Sequence, residues 1–388
     1  MIDYMNEAKA IFEEVRENRR YLHRHAEGGF DLENTVRFID EKLTELGIEH
    51  RKCGRAGIVA QVGKGDKCVL LRADMDALPM KEVADVPFAS NTGYTHSCGH
   101  DCHATTLLGA AKILKAHESE LCGVVKFMFQ PAEELLQGAL DMVNDGVLEN
   151  PKVDAAFGTH ISVGKPGSTV GTMTYSAGPA LYSGDMVTLE VFGKQSHGAA
   201  AYAGVDAINI AAHIVIALEE IIAREIPMDD SAVVLVGKIE GGDSCNTTAG
   251  YAKLEVSARA QTEEKRQFLL KRIEEISKGV AATYRGRVEY THNYGMSPLV
   301  CDEKIAAIGA KAAEDLGMKV TCLPTAGGTE DFTAVANLVP AVMLNVGAGS
   351  LEEGHTCGHH NPGFVVDEGV LVYETALYCK CAVDYLSK

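Results

Sequence analysis

Residues 96–104, "HSCGHDCHA", place three histidines, two cysteines and one aspartate in nine positions. Thiol and imidazole at that density suggest redox chemistry, a structural zinc clip or one wall of a catalytic metal site. Cys98 and Cys102 have three residues between them, which does not fit the C-x-x-C spacing of a thioredoxin-like pair. A structural zinc site draws four Cys or His ligands from two close pairs, and no second such pair follows at the expected distance. A catalytic wall fits better, with the remaining ligands supplied from elsewhere in the chain. Taken singly, Cys98 and His100 read equally well as a buried thiol and a loop histidine. Cys102 and His103 open the next helix and are explained by packing or capping.

Other ligand-bearing residues recur at comparable places. Asp74 and Asp76 follow the apolar run "CVLLR", Glu133 and Glu134 follow "VVKFMFQPA", and His160 follows "AAFGT". Near the C-terminus, "GHTCGHHNPGF" holds His355, Cys357, His359 and His360. Adjacent glutamates point in different directions. One can therefore ligate a metal while the other faces substrate as a general base, the division that metal-assisted hydrolysis requires. Each signal also has a plain explanation: acids suit a helix start, His160 a core histidine, His359 and His360 a surface loop. Their convergence is what argues for a site.

The elements that must position these residues follow from the apolar pattern. "GIVAQVG", "KCVLLRADMD", "GVVKFMFQP", "VDAAFGTHI" and "AVMLNVGAG" read as strands, and "HATTLLGAAKILKAH", "KIAAIGAKAAEDLG" and "EGVLVYETALYCKCAVDYL" as helices. Near-continuous apolar strands alternating with helices predict an α/β domain with a mixed sheet covered by helices on both faces. In such sheets ligands bind beyond the carboxyl ends of the strands, where the candidate residues fall. Between the two parts of this domain the order changes to β-α-β-β-α-β, from "DMVTLEVFG" to "RVEYTHNY". That is the split βαβ pattern of a ferredoxin-like sandwich. It is expected as an inserted α+β domain at about residues 183–294, within a larger α/β domain formed by residues 1–182 and 295–388.

Composition narrows the partners. The 388 residues carry a formal net charge of −18, which argues against nucleic acid or an anionic membrane. No apolar run approaches transmembrane length. The opening "MIDYMNEAKAIFEEVRENRR" reads as an amphipathic helix without the apolar core of a signal peptide. The eleven cysteines follow no regular framework, so a cytoplasmic location with reduced thiols is expected.

The ordered set "RADMDALP", "HSCGHDCHA", "FQPAEE", "GTH", "SHGAA", "GGTEDF" and "HNPGF" resembles the amidohydrolase branch of the dinuclear metallopeptidases. That branch includes hippurate hydrolases, auxin-conjugate hydrolases and N-acetyl-diaminopimelate deacetylases. The resemblance spans essentially the whole chain. It implies two divalent ions, manganese or zinc, held by Cys98, His100, Glu134, His160 and His360, with Glu133 as general base and Asp76 beside the site. It implies that the inserted domain is a lid and dimerisation domain. His197 would then act in the neighbouring subunit of a homodimer, and Asn246 and Arg259 would bind the substrate carboxylate. The implied activity is hydrolysis of the amide of an N-acyl or N-aroyl amino acid or of a small peptide-like conjugate. A diaminopimelate deacetylase or a dipeptidase is the alternative with the same machinery, and a catalytically silent binding protein is disfavoured by the intact Glu133 and ligand set.

The chain departs from the family pattern in three places. Ala201 and Tyr202 replace a proline and a histidine, "NTTA" at 246–249 replaces "NVIP", and "HRHAEGG" at 23–29 replaces H-x-x-P-E-L. None removes a proposed metal ligand. All bear on how substrate is gripped.

Overall fold

A computed structural model describes residues 2–228, 230–325 and 328–388. Gly327, the first residue of "GGTEDF", lies outside the described residues. The chain divides into two compact units, one comprising Met1–Ala180, Val300–Pro324 and Glu330–Lys388, the other Leu181–Leu299 and Thr325–Thr329.

The first unit is α/β. Its eight-stranded mixed sheet begins with β1 (Glu49–Cys53), β2 (Gly57–Gly63), β3 (Cys68–Asp74), β4 (Val124–Gln130), β5 (Ala155–Ser162) and β6 (Thr172–Tyr175). Across the sheet the order is β1, β2, β4, β3, β5, the strand Ala341–Gly347, β6 and the strand Lys319–Cys322. β4, β3, β5 and Ala341–Gly347 run parallel, while β1, β2 and β6 pair antiparallel to their inner neighbours. Every residue of β3 and β4 is buried, as expected of central parallel strands covered on both sides.

The helices of this unit include α1 (Tyr4–Ala10), α2 (Phe12–Arg24), α3 (Glu33–Glu45) and α4 (His100–Ala116). The opening segment, expected as one helix, is two: Ile11 leaves helical geometry at φ −104° and ψ 6°. α4 packs against β3 and β5 and is buried along most of its length. Gly99 precedes it at φ 89°, and a side chain there would run into Ile161 on β5. Glycine therefore lets the "HSCGH" turn approach the sheet edge closely.

The second unit holds a four-stranded antiparallel sheet in the order Ala232–Gly241, Tyr251–Ala260, Gly184–Phe192, Arg287–Met296. Helices Ala207–Glu220 and Glu263–Thr283 pack against it. Residues of Tyr251–Ala260 alternate in burial, and Leu254 and Val256 meet Ile210, Ile214, Leu269 and Ile273 in its core. Asp206 and Thr262 cap the two helices through their side chains.

Candidate metal centre

β4, β3 and β5 lie side by side and parallel, so their carboxyl ends share one edge. β3 delivers Asp74 and then Asp76, β4 leads into Glu133 and Glu134, and β5 carries His160. The turn before α4 adds Cys98 and His100. The loop bearing His360 hydrogen-bonds to that turn, the His360 amide donating to the Ser97 carbonyl at 3.0 Å.

The potential ligand atoms form overlapping clusters. Cys98, His100 and His160 make one, Cys98, Glu134 and His360 a second, and His100, Glu133 and Glu134 a third, each with its atoms within 4.8 Å of one another. Cys98 Sγ is 3.4 Å from His160 Nε2, and His360 Nε2 is 3.5 Å from Glu134 Oε1. His100 Nε2 lies 3.9 Å from Glu133 and 4.0 Å from Glu134. All five residues assigned as ligands through the resemblance, and Glu133, thus stand together in the first unit.

The donor set fits divalent cations. His100 Nε2 and Glu134 Oε1 are buried with no hydrogen-bond partner among the described residues, a costly state for polar atoms unless something else coordinates them. His160 Nδ1 donates to the Ile161 carbonyl at 2.7 Å, which leaves the Nε2 lone pair aimed toward Cys98. Burial holds His160 well below the usual imidazole range, aided by His103 and His359, so it stays neutral and able to ligate. Burial pushes the Cys98 thiol up to about 12, so thiolate would form there only with a cation to replace the proton.

Glu133 is held well above the ordinary carboxylate range by burial and by the charges of Glu330 and Asp331. A carboxylate with raised proton affinity is suited to accept and pass on a proton. Asp76 braces both glutamates, accepting from the Glu133 amide at 3.0 Å and the Glu134 amide at 3.2 Å, with His100 Nδ1 at 3.4 Å. It holds the machinery in place. Ala132 and Leu136 flank the pair at φ 52° and 55°, and His360 has φ 59°. Three non-glycine residues in the left-handed region at one place mark a backbone held by its surroundings.

Several contributors carried no assigned role in the sequence reading. Arg72, fully buried within β3, meets Asp74 at 2.8 Å, Glu330 at 2.8 Å and Asp331 at 3.3 Å. Glu330 and Asp331 in turn cluster with Glu133. A lone arginine inside the apolar run "CVLLRAD" was the available signal, because a fully buried charge needs partners. His103 does more than start a helix. It faces Asp74 through Nδ1 at 2.6 Å and accepts from the Ile161 amide through Nε2 at 2.9 Å, tying α4 to β3 and β5. His359 is half-buried, its ring centroid 5.2 Å from that of His160, with Nε2 accepting from the Val163 amide.

His197, Asn246 and Arg259 belong to the second unit. His197 lies on the exposed two-residue strand Ser196–His197, which pairs with Thr247–Thr248 directly after Asn246. The Gly198 amide donates to the Asn246 carbonyl at 2.7 Å, so these two candidates are neighbours. Arg259 sits on Tyr251–Ala260 and donates to Thr329 Oγ1 at 3.0 Å. Tyr202, one of the departures, is 85% exposed.

Comparison with known proteins places this geometry in context. Residues 70–383 match the model of peptidase family M20/M25/M40. N-acetylcysteine deacetylase of Bacillus subtilis (strain 168) is 32% identical over 97% of this chain and 98% of its own. IAA-amino acid hydrolase ILR1-like 2 of Arabidopsis thaliana is 33% identical over 97% of this chain and 86% of its own. Among solved structures, Bacillus subtilis YxeP, described as a dinuclear metal binding peptidase from the M20 family, superimposes with a TM-score of 0.85. It is 30% identical and the match covers 98% of this chain and 99% of that one.

Proposed function

The chain belongs to peptidase family M20/M25/M40, and on that premise we propose that it hydrolyses the amide bond of N-acyl or N-aroyl amino acids, releasing a carboxylate and a free amino acid. One observation carries the reading: Cys98, His100, Glu134, His160 and His360 converge from separate segments with Glu133 beside them. The relatives named N-acetylcysteine deacetylase and IAA-amino acid hydrolase support this substrate class.

Two divalent cations, manganese or zinc, would be held by those five residues and, when bound, would polarise the scissile carbonyl and acidify water. The chain's own part is proton handling and positioning. Glu133 accepts the proton lost by the attacking water and carries it to the leaving nitrogen, a task matched to its raised proton affinity. Asp76 keeps Glu133 and Glu134 at fixed spacing through their backbone amides. Glu330 and Asp331, neutralised in part by Arg72, supply the negative surroundings that keep Glu133 basic.

In this reading residues 183–294 are a lid and dimerisation domain and residues 1–182 and 295–388 the catalytic domain. Asn246 and Arg259 grip the substrate carboxylate, the latter through its planar fork. His197 stabilises the developing oxyanion in the partner subunit's site. Homodimer formation is supported by the open edge of the second unit's sheet, where Ala232–Gly241 exposes Val233, Leu235 and Ile239. Ile208 and Ile216 are exposed on the helix that packs beside that strand. An uncovered apolar edge invites pairing. All eleven cysteines are free thiols, which supports a cytoplasmic location. Among the described residues, no helix is long and apolar enough to cross a membrane.

The test is a substrate panel of acetyl-, benzoyl- and aminobenzoyl-amino acids beside simple dipeptides. The reading requires cleavage of the acylated amino acids. Exclusive cleavage of dipeptides would overturn it.

A further inference from the structure

Beside the metal centre lies a buried ionic cluster that the mechanism does not use. α2 presents Arg19 and His23 one turn apart, each only 2% exposed. Arg19 Nε donates to Asp101 Oδ2 at 2.7 Å, and His23 Nδ1 is 2.8 Å from the same oxygen. On its other side, His23 Nε2 is 3.0 Å from Glu82 Oε1. Both carboxylates are further committed: Asp101 Oδ1 accepts from the Cys102 amide at 3.0 Å, and Glu82 Oε2 from the Ser90 amide at 2.6 Å.

A neutral imidazole has one N–H and cannot donate to an ionised carboxylate on each side, whereas an imidazolium has two. Arg19 Nη2 also approaches His23 Nδ1, at 3.3 Å, but the carboxylate contact is shorter and decides which atom carries the proton. The other groups facing His23 are Phe88, edge-on at 5.4 Å, and His96 at 6.2 Å between ring centroids. His96 is driven down to about 3 by burial and so adds no charge. Glu368 balances Arg19 from the far side at 3.2 Å.

Asp101 is in the first turn of α4, immediately after His100 and three residues beyond Cys98. Whatever holds Asp101 holds the turn that carries two proposed metal ligands. We propose that His23 is a buried imidazolium and a positioning residue for the metal centre, bridging Glu82 and Asp101 so that the Cys98–His100 turn is set before any cation binds. The inference rests on the two-metal reading of the site. His23 touches neither a ligand atom nor substrate and acts through Asp101. Burial alone would lower its proton affinity, yet the hydrogen bonds to Asp101 and Glu82 outweigh it and raise the group above its ordinary value.

The test uses the full-length protein, stripped of metal and labelled with nitrogen-15 at histidine. The His23 ring resonances, identified by their loss in His23→Gln, should report both nitrogens protonated near pH 8, where an ordinary histidine is about 97% neutral. Manganese and zinc titrations should then show His23→Gln binding about 10- to 100-fold more weakly than wild type. Glu82→Gln keeps an acceptor for His23 but removes the charge. It should lower the His23 proton affinity and weaken cation binding in the same direction, and it serves where His23→Gln does not fold. A neutral His23 near pH 8, or unchanged affinity in the variants while wild type binds cations, overturns this inference alone. A wild type that binds no cation overturns the metal reading and this inference with it.

Discussion

The core of the proposed metal centre in the first unit and His197 in the second differ in how they are held, although the proposed ligand His360 is itself exposed. His100 is fully buried, Asp76 braces the neighbouring glutamates, His103 ties three elements together, and Arg72 anchors three carboxylates. His197, by contrast, sits exposed on a two-residue strand, its Nδ1 accepting from the nearby Ala199 amide. A cation demands donors fixed in advance, because misplaced ligands lose affinity and each must be stripped of water. Groups that meet a substrate or a second subunit must remain reachable. The contrast predicts that loss of a proposed ligand or of its brace in the first unit is read in metal binding and turnover, and damage to the second unit in turnover alone, with the metals retained.

The sharpest way to break the contrast is Glu133→Gln. Loss of general acid–base chemistry should cut kcat by about 10²–10⁴-fold. Elemental analysis should still find both cations, since Glu133 is not among the five proposed ligands. His197→Ala comes next, with a loss of about 10²–10³ in kcat if it supplies an oxyanion donor. Mixed dimers of Glu133→Gln and His197→Ala chains should regain activity, because one of their two sites then has both groups intact. No recovery on mixing would place His197 in its own subunit's site or outside catalysis. Asp76→Asn should weaken cation binding by about 10- to 100-fold, since an amide can accept from only one of the two glutamate N–H groups.

The smallest effect concerns stability. Burial acts against the charge on His23, but its bonds to Asp101 and Glu82 raise it above the ordinary 6.5. A group raised on folding contributes stability that is complete below its unfolded value and is lost as pH climbs through the folded one. Denaturant unfolding should therefore separate wild type from His23→Gln more at pH 6 than at pH 9. An equal gap at both pH values would mean that the imidazole packs there without its charge.

What was legible in the sequence follows the same physics. The central strands stood out because burial on both faces writes a near-continuous apolar run, as in "VVKFMFQ" and "AVMLNVG". β1, with the sequence EHRKC, and the edge strand KVTC were not foreseen, being short and largely exposed. Asp74, Asp76, Glu133, Glu134 and His160 were visible because each follows such a run, and parallel strands bring their ends to one edge, whereas Cys98, His100 and His360 stood out by the density of His and Cys around them. The supporting shell was not, since Arg72 and Glu330 lie 258 residues apart and only folding pairs them. Asp101, between His100 and Cys102, looked like part of a helix start. Its partners on α2, 78 and 82 residues earlier, give it a different role.

The central claim is that paired cations on Cys98, His100, Glu134, His160 and His360 enable amide hydrolysis. The most direct test is to strip wild-type protein with a chelator and return manganese or zinc stepwise, following cleavage of an N-benzoyl amino acid. The account requires activity to vanish on stripping and to return until two cations are bound per chain. Full activity in the stripped protein would contradict it.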